Sequence, residues 1–470
     1  MAPSDALFWY AQQALPVFRP IIGGLYLLDR PADPEQIEAG YEASLALVPR
    51  LRQRVVEAPL HLGLPEWVEV SHVDHDYHLR HLSLPGDGTL RELLDVVATA
   101  LATPFDPERP LWEAHWIDGL EGGRAAYFFK MHHSLVDGVG ALAILDALTQ
   151  LEREAKPLRV ALPQPRPRAE GALPRLASLA LDSARESARI AARAARASAG
   201  LLADPAGSLE ALRRTLRGLR GLAADLARPP VLDPLAKGSS GLSRRLDVMA
   251  VPLERLRAIK APLGCTINDL VLAALAGALG AYHRSRGVRV DALNCMVPMN
   301  LRGRDERDLL GNRVGVFSIV LPVGEKRPER RLRSVVEQTS RAKTDQRGAA
   351  MPFLTQALPL VPGAALRWLA RNSLGRVNVA CTNIPGVRER RYMAGAEIEA
   401  IYPFASVVEG TPVVIALLSY AGTMFIGIDT DPEAIPDPER IGELFADHLD
   451  ELEALAARPR GGRARTARSA

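Results

Sequence analysis

From Gly23 to about Leu151, short β-like runs alternate with stretches whose apolar positions recur every three or four residues. "IIGGLYLL" (Ile21–Leu28) and "RAAYFFKM" (Arg124–Met131) read as strands, and "PEQIEAGYEASLALV" (Pro34–Val48) reads as an amphipathic helix. After Asp137–Gly138 the apolar spacing turns helical through Leu148, which puts the polar stretch between at a strand-to-helix junction. A second region of the same plan starts near Leu242 and runs to about Ala456. Its expected strands are "LNCMVPM", "VGVFSIVLPV", "VNVACTNI", "TPVVIALLSY" and "MFIGIDTD". Helices are expected at Ile267–Arg284, Glu329–Lys343, Phe353–Leu369 and Pro438–Leu455. The likeness between the regions predicts an α/β (α+β) fold of two related lobes, each a mixed sheet with packed helices, and a cleft between them.

The pattern breaks between the two regions. "KPLRVALPQPRPRAEG" is rich in Pro and Arg and reads as an extended linker. Leu173–Arg228 then has helical spacing, with Arg185, Arg189, Arg193 and Arg196 on one basic face. That face suits a solvated connector, or a helix resting on an anionic membrane or lipid-droplet surface. The C-terminal tail carries five arginines and no acid, so disorder is expected there. The expected organisation is an N-terminal lobe at 1–155, a linker and basic connector at 156–240, a C-terminal lobe at 241–456 and a tail at 457–470.

The chain has 470 residues, 47% hydrophobic and 24% charged, as in a globular protein with a substantial core. A formal net charge of +3 is too small to argue for nucleic acid, and no basic run is interleaved with aromatics. Cys265, Cys295 and Cys381 lie far apart and form no CxxC pair, which argues against disulfides and thiolate metal sites and fits a reducing compartment. "MAPSDALFWY" lacks the basic start of a signal peptide, and the apolar run Leu270–Ala281 is shorter than the ~20 residues a membrane span takes. The expectation is a cytoplasmic protein, either soluble or peripheral on the inner membrane face or lipid droplets.

The polar stretch at the junction is His132-His133-Ser134-Leu135-Val136-Asp137-Gly138, an HHxxxDG pattern. A buried histidine pair could simply satisfy backbone carbonyls. A metal site is a second reading, but adjacent side chains on an extended segment point apart, and no third His or Cys shows ligand spacing nearby. In the third reading one histidine is a general base and Asp137 fixes the local geometry; the weight lies there. Ser134 as a nucleophile has no GxSxG elbow around it and sits beside His133 rather than opposite it.

HHxxxDG resembles the signature of the CoA-dependent acyltransferase superfamily, which includes chloramphenicol acetyltransferase and peptide-synthetase condensation domains. The whole chain more narrowly resembles the bacterial wax ester synthase/diacylglycerol acyltransferase family. The likeness runs from "PSDALFW" through "PLWE" (Pro110–Glu113), "GCTINDLVLAALAGAL" (Gly264–Leu279), "VPMNLRG…GNRVG", "TNIPG" (Thr382–Gly386) and "SYAG" (Ser419–Gly422). Several blocks in the right order are far more specific than one HHxxxDG. The resemblance implies two chloramphenicol-acetyltransferase-like lobes with an active-site tunnel between them, and transfer of a long-chain acyl group from acyl-CoA to a diacylglycerol or fatty alcohol. It implies no metal and no bound cofactor, acyl-CoA being a substrate. The alternatives are a condensation- or polyketide-type acyltransferase with another acceptor, and a lipid-binding member of the fold without turnover. "LPVFRPIIGG", Thr382 and Val387 depart from the family's usual residues, which bears on the substrate pockets.

Ester formation needs a base, because an alcohol is a poor nucleophile near neutral pH. Histidine suits, and such a base contributes ~10²–10⁴ in rate. The resemblance assigns that base to His133, with His132 in support. It also has the aspartate of this motif pair with an arginine; Asp137 would take Arg302, and Gly138 would permit the tight turn. Asn268 is the candidate oxyanion donor, in the first turn of a helix where Thr266 and Asp269 form something like a capping box. Trp112 is expected to pack under the histidine strand, and Asn383 and Ser419 are candidates for binding CoA or substrate.

Overall fold

The computed structural model describes residues 1–14, 18–57, 64–136, 144–155, 160–163, parts of 207–221, 231–236, 242–300, 314–344, 376–405 and 410–458. Two six-stranded sheets organise these residues. In the first, β6 (Arg124–His132) lies between β1 (Ile21–Leu28) and β5 (Trp112–Leu120), antiparallel to both. β4 (Leu79–Ser83) runs parallel to β5 at one edge. The other edge is β12 (Ala396–Ala405) followed by β11 (Tyr392–Met393). A separate ribbon pairs β2 (Gln53–Val56) with β3 (Glu66–Glu69).

β11 and β12 lie within the expected C-terminal lobe, 241–456, yet they belong to the first sheet. β12 leaves the second half and pairs antiparallel with β1, Leu25 opposite Tyr402 and Ile22 opposite Ala405. Its residues are buried along nearly their whole length, so the strand needs cover on both faces, and a local pattern does not say which sheet supplies it.

The second sheet has the order β7 (Arg245–Pro252), β14 (Thr423–Thr430), β13 (Val413–Tyr420), β10 (Val379–Ile384), β8 (Leu293–Asn300) and β9 (Val314–Leu321). β10 runs parallel to β13 and β8. The strands expected from the apolar runs are all present, within a few residues at their ends.

The helices are α1 (Pro3–Ala14), α2 (Pro34–Leu47), α3 (Leu90–Ala102), α4 (Leu253–Leu263), α5 (Ile267–Ser285), α6 (Pro328–Thr344) and α7 (Pro438–Ala456). The periodicity above did not single out α1, α3 or α4. α3 is nonetheless well specified: Thr89 and Glu92 form a capping box, and Leu93, Leu94, Val97 and Leu101 are buried on one face. α5 is apolar on all sides and packs between α6 and α7 as the core helix of the second half. No single helix among the described residues is long and apolar enough to cross a membrane. The expected helix Phe353–Leu369, nearly all of the 156–240 connector and the tail from residue 459 lie outside the described residues.

The two sheets meet along β12, β13 and β14. Gly427 of β14 lies so close to β12 that a Cβ there would sit 2.0 Å from the Pro403 carbonyl oxygen, which only a glycine avoids. Tyr402 meets Phe425 edge to face at 5.3 Å. Tyr420 donates from its hydroxyl to the Ile398 carbonyl at 3.0 Å and accepts from the Arg391 N–H at 2.8 Å. A second seam joins α3 to β7, where Arg91 donates to the Leu246 carbonyl at 2.7 Å.

Candidate active site

β6 is buried from Ala125 to its end because strands flank it on both sides, and it ends at His132. Near that end the Lys130 ammonium, fully buried, donates to the Ala100 and Thr103 carbonyls at 3.0 and 3.2 Å, beside Glu113 at 3.3 Å. Those carbonyls are at the C-terminus of α3, where a cation complements the helix dipole, so the strand that carries the histidines is anchored to that helix.

The two histidines then diverge. His132 donates its backbone N–H to Leu111 at 2.9 Å and His133 to Pro20 at 2.6 Å, and a turn closes as Leu135 donates to the His132 carbonyl at 2.9 Å. His132 is 1% exposed and both ring nitrogens are engaged. The backbone N–H and hydroxyl of Ser134 converge on Nδ1 at 3.1 and 2.7 Å. An Nδ1 that accepts from an N–H carries no proton, so Nε2 carries it and donates to Gln12 Oε1 at 3.1 Å. Burial first, and the neighbouring His133 second, push the His132 pKa down to about 3. His132 is therefore a neutral brace for the turn. Ser134 is equally buried and its hydroxyl is part of that brace.

His133 is only half-buried. Its ring lies flat on Phe8 of α1, centroids 4.0 Å apart and planes 8° from parallel. Asp137, Gly138 and Arg302, the expected support of this turn, lie outside the described residues. Trp112 is buried below the same region, donating Nε1 to the Leu51 carbonyl at 2.9 Å and stacking between His78 and Phe129.

In the second half the site residues sit where α5 begins. Thr266 and Asp269 form a full capping box. Asp269 Oδ2 accepts from the Thr266 N–H at 2.9 Å and hydroxyl at 2.7 Å, while Oδ1 accepts from the Thr339 hydroxyl at 2.6 Å. This carboxylate, 3% exposed, is committed to holding α5 and α6. Asn268, one residue earlier and half-buried, accepts on Oδ1 from Asn383 Nδ2 at 2.8 Å. Two blocks 115 residues apart thus meet through paired amides, and fixing the Asn268 carbonyl orients its NH₂ as a donor. Ser419 accepts from the Gly386 N–H at 3.0 Å, and a Cβ at Gly386 would lie 1.9 Å from the Ser419 carbonyl. Ser419 therefore straps the Ile384–Gly386 loop. Cys265, nearby in sequence, has its pKa pushed up to about 11 by burial and by Asp269, so it is a thiol and not a thiolate. Among the described residues no group of three or more His, Cys, Asp or Glu could hold a metal ion.

Sequence reasoning missed Phe8, Gln12 and Pro20 as parts of this site. A signal was present: Phe8 and Gln12 are four residues apart in "DALFWYAQQ" and share a helical face. What the string lacks is any sign that the face would be laid on the histidine turn.

Comparison with known proteins gives the family. A model of the wax ester synthase/diacylglycerol acyltransferase catalytic domain matches residues 1–271, and one of the WS/DGAT C-terminal domain matches 310–453. The chain is 29% identical over 472 residues to "Probable diacylglycerol O-acyltransferase tgs2" of Mycobacterium tuberculosis (strain ATCC 25618 / H37Rv), covering 96% of this chain and 98% of that protein. Among solved structures it is similar to a wax ester synthase/diacylglycerol acyltransferase from Marinobacter aquaeolei VT8, with TM-score 0.66, 25% identity, and 97% of this chain and 100% of that chain covered. The first condensation domain of the calcium-dependent antibiotic synthetase shares the fold at 19% identity and TM-score 0.61, over 98% of this chain and 97% of that domain.

Proposed function

Because the chain belongs to the wax ester synthase/diacylglycerol acyltransferase family, it is an acyl-CoA-dependent O-acyltransferase, and we propose that it moves a long-chain acyl group to a diacylglycerol or fatty alcohol with His133 as general base. The observation that carries this reading is the division between the two histidines. His132 is dry, neutral and hydrogen-bonded at both nitrogens, whereas His133 is half-buried, lies flat on Phe8 and is anchored through its backbone N–H to Pro20.

In the proposed reaction both substrates are bound together. His133 takes the proton from the acceptor hydroxyl as its oxygen attacks the thioester carbonyl carbon. The C=O π electrons move to oxygen, and the Asn268 amide, braced by Asn383, donates to that oxyanion; one such donor contributes about 3–4 kcal/mol. The oxyanion collapses, the C–S bond breaks, and the CoA thiolate recovers the proton from His133. The products are an ester and free CoA, with no acyl-enzyme and no metal or redox cofactor. The spacing of Arg185, Arg189, Arg193 and Arg196 in the sequence supports a peripheral position on an anionic membrane or droplet surface, which pelleting with anionic liposomes at low but not high salt would establish.

Mass-spectrometric product analysis tests the central claim. Purified protein is incubated with palmitoyl-CoA and either hexadecanol or dioleoylglycerol, beside a His133→Ala control. Ester formed by the wild type and absent from the control is expected, and the better acceptor names the subtype. Equal ester from the control would remove His133 from the mechanism. A folded protein that binds palmitoyl-CoA yet esterifies neither acceptor would point to another acceptor or to binding without turnover.

A further inference from the structure

We propose that Phe8 is a positioning residue for His133, and that its π face stabilises the imidazolium formed when His133 takes the acceptor's proton. The proposal rests on the general-base reading above. The two rings lie face to face at 4.0 Å. A cation within about 6 Å of an aromatic face is attracted by the ring quadrupole, and more strongly when desolvated. A neutral imidazole gains dispersion alone. The contact therefore strengthens as the proton arrives, which is the property that lowers a barrier rather than merely binding a ground state.

The helix that carries Phe8 is tied to the same turn. Gln12, one turn further along α1, accepts from His132 Nε2 at 3.1 Å. Trp9 meets the His132 ring edge-on at 5.9 Å and donates Nε1 to Glu57 at 2.8 Å. Rotating α1 would break these contacts together, so the plane of Phe8 is fixed by the turn it serves. From the other side the Pro20 carbonyl holds the His133 backbone. Backbone anchor and ring stack thus restrict the imidazole to one orientation.

Three titratable groups near the stack in sequence are neutral or engaged elsewhere. The adjacent titratable ring, His132, is kept neutral by burial. Arg19, beside Pro20, sends its guanidinium to the Ala102 carbonyl at the end of α3. Asp5, on α1 three residues before Phe8, acts on Arg50 and on the chain's amino terminus.

The test uses full-length protein carrying Phe8→Leu or Phe8→Tyr. The His133 imidazole is titrated by NMR with isotope-labelled histidine, assigned by loss of its signal in His133→Asn, and kcat and KM are measured with palmitoyl-CoA. Phe8→Leu is expected to lower the His133 titration midpoint by about half a pH unit, and kcat by about three- to tenfold with KM unchanged. Phe8→Tyr should restore both. The NMR reading needs no turnover, so it judges the stack even if neither acceptor is esterified, and the two failures remain distinguishable. An unchanged midpoint in folded Phe8→Leu protein overturns the proposal. A raised KM at constant kcat also overturns it, since Phe8 would then be part of the substrate surface. If Phe8→Leu melts early, Phe8→Met supplies a second ringless side chain of similar volume.

Discussion

The two halves offer their polar groups in different ways. The first ends a buried central strand in a histidine pair and uses a helix from far away in the chain, α1, to clamp the turn. The second places an amide in the first turn of a buried helix, holds that helix with a capping box, and braces the amide from the end of a neighbouring strand. On the proposed reading, the base is left half-buried on an aromatic face, and the oxyanion donor is held by a partner amide. The contrast then teaches that mobility of charge and rigidity of dipole are supplied by separate halves of one fold.

The largest effect expected from breaking this division is at His133. His133→Ala should cost ~10²–10⁴ in kcat while leaving the melting temperature near wild type, because the ring is only half-buried. Equal loss of kcat and of folding would mean that the two histidines share their work. Asn268→Ala should come next, at ~10²–10³ in kcat, with Asn383→Ala smaller because it acts through Asn268. If Asn383→Ala is the more damaging of the two, the direct donor is Asn383 and the order of the pair is reversed.

The neutral brace can be read through pH. The folded-state pKa of His132, about 3, lies below its ordinary 6.5, and His78 is pushed down to about 4, in both cases chiefly by burial. The unfolded chain therefore binds more protons in this window. Stability should be fully present above pH 6.5 and be lost progressively as pH falls toward 4 and then 3. Urea unfolding between about pH 7 and pH 5 checks this, and a flat profile would show that water reaches both rings.

Smaller tests sharpen the same contrast in the frame. Thr266→Ala removes the cap of α5 and should cost about 1 kcal/mol by urea unfolding, with kcat falling because Asn268 shifts with the helix start. A loss of stability alone would separate the cap from the amide's placement. Gly40, inside α2, has nothing within 4 Å of where its Cβ would lie. Gly40→Ala should therefore stabilise the first half by about 0.5–1 kcal/mol and leave kcat untouched. A destabilised variant would mean that the space beside α2 is used.

Much of this was legible in the chain, for identifiable reasons. The apolar alternation in "RAAYFFKM" and the helical spacing of Ile267–Ser285 report burial directly, since strand and helix periods are local. The Thr266–Asp269 box is legible because its partners are three residues apart. β12 was not, because a strand buried on both faces carries no mark of the sheet it joins. The strap between Ser419 and the Gly386 N–H was not legible either, because its ends are 33 residues apart.

By itself, the sequence determined many of the strands and helices, the order of the motif blocks and the presence of two histidines where a strand runs out. Only the tertiary structure decided which histidine is dry, which asparagines meet, and which helix lies on the imidazole. The physical reason is distance along the chain. Gln12 and His132 are 120 residues apart, and Asn268 and Asn383 are 115 apart. Contacts at that separation are fixed by which buried faces find one another in the whole fold, and no local period encodes them.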